Sequence, residues 1–332
     1  MHVLYCCNDD YCPYTGISIV SLFENNKNLT ELVVYIAGLD ISSENRLKLE
    51  QVANEYKREI IVIDAEQIEE QLIINKVSDY RGNKITFYRL FIDQLIPDKV
   101  ERLLYIDGDT VIVDSLEELE TFGFEDNKAC AMIRERVFKG YNTIIGIKES
   151  DNYYNAGVTL FNMITWRSLK CSDRLLAGVR EGRANYHLAD QDLLCSVINE
   201  NIQTLPVRFN VHSLWLSIGI KNLYWYFDVD ENNLYSIDEI HGAIENPAIL
   251  HCSVGNTGTP WQRGNKNPFK MEWEEYKKIS PWKDMEDVKA KRTLSRKARW
   301  IMFNALPRSL YLKIFKYHNV RRLKKLYGKG AR

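Results

Sequence analysis

Short apolar runs recur along the first third of the chain, separated by longer stretches with helical spacing. Residues 3–6, 32–36, 60–63 and 103–106 read as buried strands, because each run is too short for a helix of its own and shows no polar face. Pro13 suits the first turn of a helix that runs through Ile17, Ile19, Val20 and Leu22. Ser42-Ser43-Glu44 offers caps for a second helix through Leu47, Leu49 and Val52. A third helix follows Asp64, and residues 86–95 form another helical stretch, closed by Pro97. Alternation of this kind predicts an α/β fold with a Rossmann-like, mostly parallel sheet flanked by helices. Ligands of such sheets sit just beyond the carboxyl ends of the strands.

Composition narrows the class. The chain has 332 residues, 45% hydrophobic and 27% charged, enough to bury one large core or two smaller ones. No stretch reads as a membrane span, and the start lacks a charged-then-apolar export signal, so a cytoplasmic location is expected. Seven scattered cysteines without paired metal spacing fit a reducing compartment and read mostly as small buried hydrophobes. The net charge of −1 hides an asymmetry: residues 288–332 carry 15 Lys and Arg and no Asp or Glu. An acidic body thus precedes a basic tail.

The chemistry concentrates at the fourth apolar run, which ends in Asp107-Gly108-Asp109. Two carboxylates around a glycine at a strand exit can turn toward one point and hold a hard divalent ion, which keeps places for water and phosphates. Asp-Gly is also a common hairpin turn, and Asp190-Gln191-Asp192 and Asp228-Val229-Asp230 share the spacing. Position at the carboxyl end of a parallel strand favours the first triplet as a site. The first strand also ends in polar residues, Asn8-Asp9-Asp10, followed by Tyr11. Residues 153–157 precede an apolar strand at 158–161 and either admit a sugar or simply turn. Asp190-Gln191-Asp192 opens a helix, where acids also serve as cap and dipole partners. Lys84 and Arg89 either neutralise phosphates or sit solvated. His251, at the end of an apolar run, is either a metal ligand or structural.

Taken in order, the Cys6–Tyr11 strand end, Phe87-Tyr88-Arg89-Leu90, Asp107-Gly108-Asp109, Asn155-Ala156-Gly157, Asp190-Gln191-Asp192 and His251 before Pro260-Trp261 resemble glycosyltransferase family 8, over roughly residues 1–265. These are retaining GT-A enzymes that include bacterial lipopolysaccharide galactosyl- and glucosyltransferases. The resemblance implies a GT-A catalytic domain at 1–265, and the residues beyond it, 266–332, read from their own pattern as a basic, helical, membrane-associating region. It implies that Asp107, Asp109 and His251 ligate Mn²⁺, with Mg²⁺ as a substitute. Cys6, Asn8, Asp10 and Tyr11 would hold uridine and ribose, with Arg89, helped by Lys84, at the donor. Asn155, Ala156, Asp190 and Gln191 would form the sugar wall, Gly108 would sit between the metal ligands, and Gly255 would belong to a loop closing over the diphosphate. The implied reaction moves glucose or galactose from a UDP-sugar to a glycan or lipid-linked glycan, in lipopolysaccharide or capsule synthesis.

Two departures stand out. The family's closing segment runs from His through Gly to Lys-Pro-Trp. Here the stretch from His251 to Trp261 is two residues longer, with Thr259 in place of the lysine and Arg263 or Lys266 as candidate substitutes. Arg134 stands where relatives carry an acid facing the sugars, which predicts a cation toward donor or acceptor. In the tail, Leu310, Ile314, Tyr317, Val320 and Leu323 recur at helical spacing among lysines and arginines, a pattern that predicts docking on the inner, anionic face of the cell membrane. The open alternatives are packing on the body and nucleic-acid binding, the latter not expected. A non-catalytic sugar-nucleotide binding module is the rival to an enzyme.

Overall fold

The computed structural model describes residues 1–80, 82–253, 255–290 and 293–327, with side chains described through Arg322 except that of Asn185. Lys291 of the basic tail and Val254 of the closing segment lie outside the described residues, as do the side chains of Leu323, Lys324 and Lys325.

The strands in chain order are β1 (His2–Asn8), β2 (Val33–Leu39), β3 (Glu59–Asp64), β4 (Arg102–Ile106), β5 (Thr110–Ile112), β6 (Cys130–Arg134), β7 (Tyr154–Asn162), β8 (Ile202–Thr204), β9 (Val211–His212) and β10 (Ile249–His251). Seven of them form one sheet in the order β3-β2-β1-β4-β7-β6-β8. The first four are parallel, β7 runs antiparallel between β4 and β6, and β8 rejoins parallel to β6. The apolar runs are buried on both faces: along β1, Val3, Tyr5 and Cys7 enter one core cluster, and Leu4 and Cys6 enter the other.

The expected helices form at Cys12–Asn25 and Ser43–Tyr56, the latter capped by the Ser42 hydroxyl. The stretch before Pro97 is tighter than a regular α-helix: it is 3₁₀ over Ile85–Phe91 and α only over Ile92–Leu95. Residues 154–157 lie inside β7 rather than in a loop before it. There the register against β6 jumps, pairing Met132 with Thr159 and Ile133 with Asn155, so Ala156, Gly157 and Val158 bulge away from β6.

A second, three-stranded sheet, β5-β10-β9, explains how distant residues reach the Asp-Gly-Asp turn. β5 leaves that turn and pairs antiparallel with β10, setting His251 opposite Thr110; β9 pairs parallel with β10, setting His212 opposite His251.

The core continues beyond residue 265. Trp273 and Trp282 are buried in the cluster that holds the Cys12–Asn25 helix, and Gly16 is obligatory because a Cβ there would meet the Trp282 ring at 2.2 Å. Two tail helices, Leu294–Ala305 and Arg308–Tyr327, then fold over the body and bury Phe303, Tyr311, Leu312 and Phe315. Among the described residues no helix is long and apolar enough to cross a membrane.

Candidate active site

A cleft of about 540 Å³ opens where β1 and β4 exit and β7 enters. Cys6, Asn8, Tyr11, Arg89, Asp107, Gly108, Asp109, Asn155, Ala156, Asp190, Gln191, His251 and Gly255 all line it. Thirteen of the fifteen expected site residues therefore meet in one place. Asp10 is exposed and Lys84 pairs with Asp79, and neither lines the cleft.

The metal candidates cluster tightly: one ligand atom from each of Asp107, Asp109 and His251 lies within 4.8 Å of the others. His251 Nε2 is 3.2 Å from Asp109 Oδ1 and 3.9 Å from Asp107 Oδ2, while its Nδ1 faces Asn210 Oδ1 at 2.9 Å. Burial alone would lower the imidazole pKa, yet the Asp109 and Asp107 carboxylates outweigh it and hold it above its ordinary value. The site therefore favours positive charge, and a mixed oxygen and imidazole donor set suits a divalent ion. Close approach here depends on a missing side chain. A Cβ on Gly157 would lie 2.4 Å from His251 Cε1 and 2.9 Å from Asp107 Oδ2. Gly108 is obligatory too, with a virtual Cβ 2.3 Å from Thr15 Oγ1.

Arg89, only 4% exposed, is the hub of the floor. It meets Asp107 Oδ1 at 2.9 Å and Asp190 Oδ2 at 3.1 Å, donates to the Ala156 carbonyl at 2.5 Å, and lies over the Tyr105 ring. Burial would depress its pKa, but the two carboxylates more than reverse that. Asp190 is thus no helix cap: it accepts from Thr86 Oγ1 at 2.6 Å and pairs with Arg89. Asp192 is an interior anchor for the Tyr141 and Tyr153 hydroxyls and the Leu188 amide. Asp228 pairs with Lys316 at 2.5 Å, in the contact between body and tail.

Gln191 is fixed at both ends. Its Oε1 accepts from Asn155 Nδ2 and from the Ala156 amide, each at 3.1 Å, and its Nε2 donates to the Tyr153 hydroxyl at 3.1 Å. Asn155 also donates to Glu135 Oε2, and its Oδ1 accepts from Asn210 Nδ2.

The expectation for Arg134 is corrected. Its guanidinium donates to the Leu234 carbonyl at 2.8 Å beside the Tyr235 ring and does not line the cleft. Alternation sends its neighbour Glu135 the other way, so a carboxylate faces the site. Neither candidate for the missing lysine lines the cleft: Arg263 pairs with Glu286 at 2.8 Å, and Lys266 lines a separate cavity. Thr86, Glu135, Arg136, Asn210 and His212 are additions that the sequence reading did not single out. Burial lowers the Arg136 pKa to about 9 and holds His212 neutral, with its ring stacked on His251 at 4.7 Å. The only sequence signal for His212 is its place after a single apolar residue, Val211, in a segment too short to read as a strand.

Fold and cleft together are those of a glycosyltransferase. The chain belongs to glycosyl transferase family 8, whose pattern matches residues 2–264. It is 22% identical over 289 residues to general stress protein A of Bacillus subtilis, covering 85% of this chain and 94% of that one. It is also 22% identical to lipopolysaccharide 1,3-galactosyltransferase of Salmonella typhimurium, over 80% of this chain and 74% of that one. A solved structure of galactosyltransferase LgtC with donor and acceptor sugar analogues superposes with a TM-score of 0.68 at 21% identity, covering 85% of this chain and 96% of that one.

Proposed function

We propose that the protein is a retaining, Mn²⁺-dependent hexosyltransferase that moves glucose or galactose from a UDP-sugar to a glycan or lipid-linked glycan at the inner face of the cell membrane. The observation that carries this reading is the Asp107–Asp109–His251 cluster, set in the same cleft as the Gln191–Asn155 amide pair. The three clustered residues would hold Mn²⁺, which supplies positive charge as the diphosphate leaves. Cys6, Asn8 and Tyr11 line the cleft and would hold the uridine, and Arg89, which pairs with the Asp107 and Asp190 carboxylates, would hold them for the donor sugar.

Retention requires either an enzyme nucleophile or attack on the face that the phosphate leaves. Gln191 Oε1 is a neutral amide oxygen already accepting two hydrogen bonds, which uses both lone pairs. It is a poor nucleophile. We therefore favour front-face attack, with a donor phosphate oxygen taking the acceptor proton and the fixed amides positioning the sugar; a covalent glycosyl adduct trapped at Asp190 or Gln191 would overturn it. Release of UDP from a panel of UDP-sugars tests the reading. UDP-glucose or UDP-galactose should turn over only with Mn²⁺ present. Equal UDP binding with and without metal, and no turnover of any donor, would favour the binding-module rival instead.

Membrane docking draws support from the tail. Leu310, Ile314 and Tyr317 are 45%, 43% and 69% exposed, on a helix whose other face is buried through Tyr311 and Phe315. Lys313 and Arg321 are exposed on the same helix. The double variant L310E/Y317E should bind phosphatidylglycerol vesicles at least about tenfold more weakly, because burial of each side chain contributes roughly 1.5–3 kcal/mol. Its release of UDP should match wild type. Unchanged vesicle binding in a sedimentation assay would remove this part of the proposal.

A further inference from the structure

A second cavity, of about 270 Å³, lies outside the donor cleft, between the body and the tail helices. Two cations, Lys266 and Arg308, stand on its wall, and no acidic residue lines it. Among the described residues neither has a carboxylate partner. Arg308 sits with its guanidinium 3.4 Å from the Phe303 ring centroid and gives Nη1 to the Phe303 carbonyl at 2.8 Å. Partial burial depresses its pKa. Thr257 and Asn304 share the wall with the two cations; Asn304 gives one amide hydrogen to the Trp300 carbonyl and keeps a second.

We propose that this cavity is a binding site for a phosphate group, distinct from the diphosphate position in the donor cleft. A guanidinium and an ammonium on one cavity wall, with no carboxylate beside them, offer the charge that phosphate oxygens select. The group comes from a free phosphate or from a phospholipid headgroup, and the apolar Leu216 and Leu306 on the same wall accommodate either an empty edge or an acyl chain. Position gives the site a consequence. Thr257 lines this cavity and Gly255 lines the donor cleft, so one loop separates the two ligands. The Lys266 amide donates to the Thr257 carbonyl at 2.8 Å, which ties the cation's own backbone to that loop.

Calorimetric titration of the full chain with inorganic phosphate and with monomeric dihexanoyl phosphatidylglycerol tests the proposal. The comparison is between wild type and K266Q/R308Q, so that phosphate entering the donor cleft cancels. Loss of two charge-assisted contacts should weaken binding by at least about tenfold, and R308K should retain most of it. An effect on both ligands supports a general phosphate site. An effect on the lipid alone, with phosphatidylcholine binding more weakly, supports a headgroup site. Wild-type and variant curves that coincide for both ligands would overturn the proposal. K266Q alone, at an exposed lysine, gives the same reading if the double variant does not fold.

Discussion

Asp109→Asn should lower UDP-sugar turnover by about a thousandfold while leaving the thermal midpoint nearly unchanged. Asn keeps the shape of the side chain but removes the charge that faces His251 Nε2 at 3.2 Å. Of the two triplet carboxylates, Asp109 gives the cleaner test. Asp107 also accepts from Arg89 and from the Tyr105 hydroxyl at 2.7 Å, so changing it disturbs the floor as well as the cation site. Removing one of two clustered carboxylates relieves repulsion in the empty site, which offsets the lost attraction to His251. The expected signature is a large rise in the Mn²⁺ concentration needed for half-maximal rate. Wild-type turnover at wild-type metal concentrations would dismiss the assignment of Asp109 as a ligand.

Arg89→Met should destabilise the fold by about 3–5 kcal/mol, because removing one partner leaves the other buried charges uncompensated. Here two carboxylates depend on it, Asp107 and Asp190, and the Ala156 carbonyl loses its donor. Asp190 is 4% exposed, and burial already raises its pKa despite the nearby guanidinium. Without Arg89 it takes up a proton at neutral pH or draws water into the floor. Denaturant unfolding reads the change directly, and adding Asp190→Asn to the variant should recover part of the loss. An unchanged midpoint would mean that the ion cluster contributes nothing to stability.

The sheet was legible because its parallel strands are buried on both faces, which leaves uninterrupted apolar runs such as those at 3–6 and 103–106. That reading also singled out Asp107-Gly108-Asp109 among three similar triplets, since a strand exit is visible in one dimension. Residues whose partners lie far away were another matter. Asp190 looks like a cap locally, and only the fold brings Arg89, a hundred residues earlier in the chain, against it. His212 sits on a two-residue strand with no periodicity to detect, and its stacking on His251 arises from the β9–β10 register. Arg134 was misplaced by a single residue, which in a strand is enough to put a side chain on the wrong side. The tail shows the same limit. Its apolar spacing predicted a helix but not which apolar residues the body would cover: Tyr311 and Phe315 are buried, while Leu310 and Ile314 remain outside.

The bulge in β7 has a bearing on how this cleft diverges. An unbroken ladder with β6 would draw the backbone groups of Ala156 and Val158 into strand pairing. Out of register with β6, the Ala156 carbonyl is available to Arg89 and the Ala156 amide to Gln191, while on the other edge the Gly157 carbonyl continues the β4 ladder to the Asp107 amide at 2.7 Å. This part of the cleft wall is therefore built from peptide groups as well as side chains, and peptide is the same in every sequence. Neighbouring side chains are free to drift and reshape the cleft, but one residue gained or lost in this segment would dismantle the wall at a stroke.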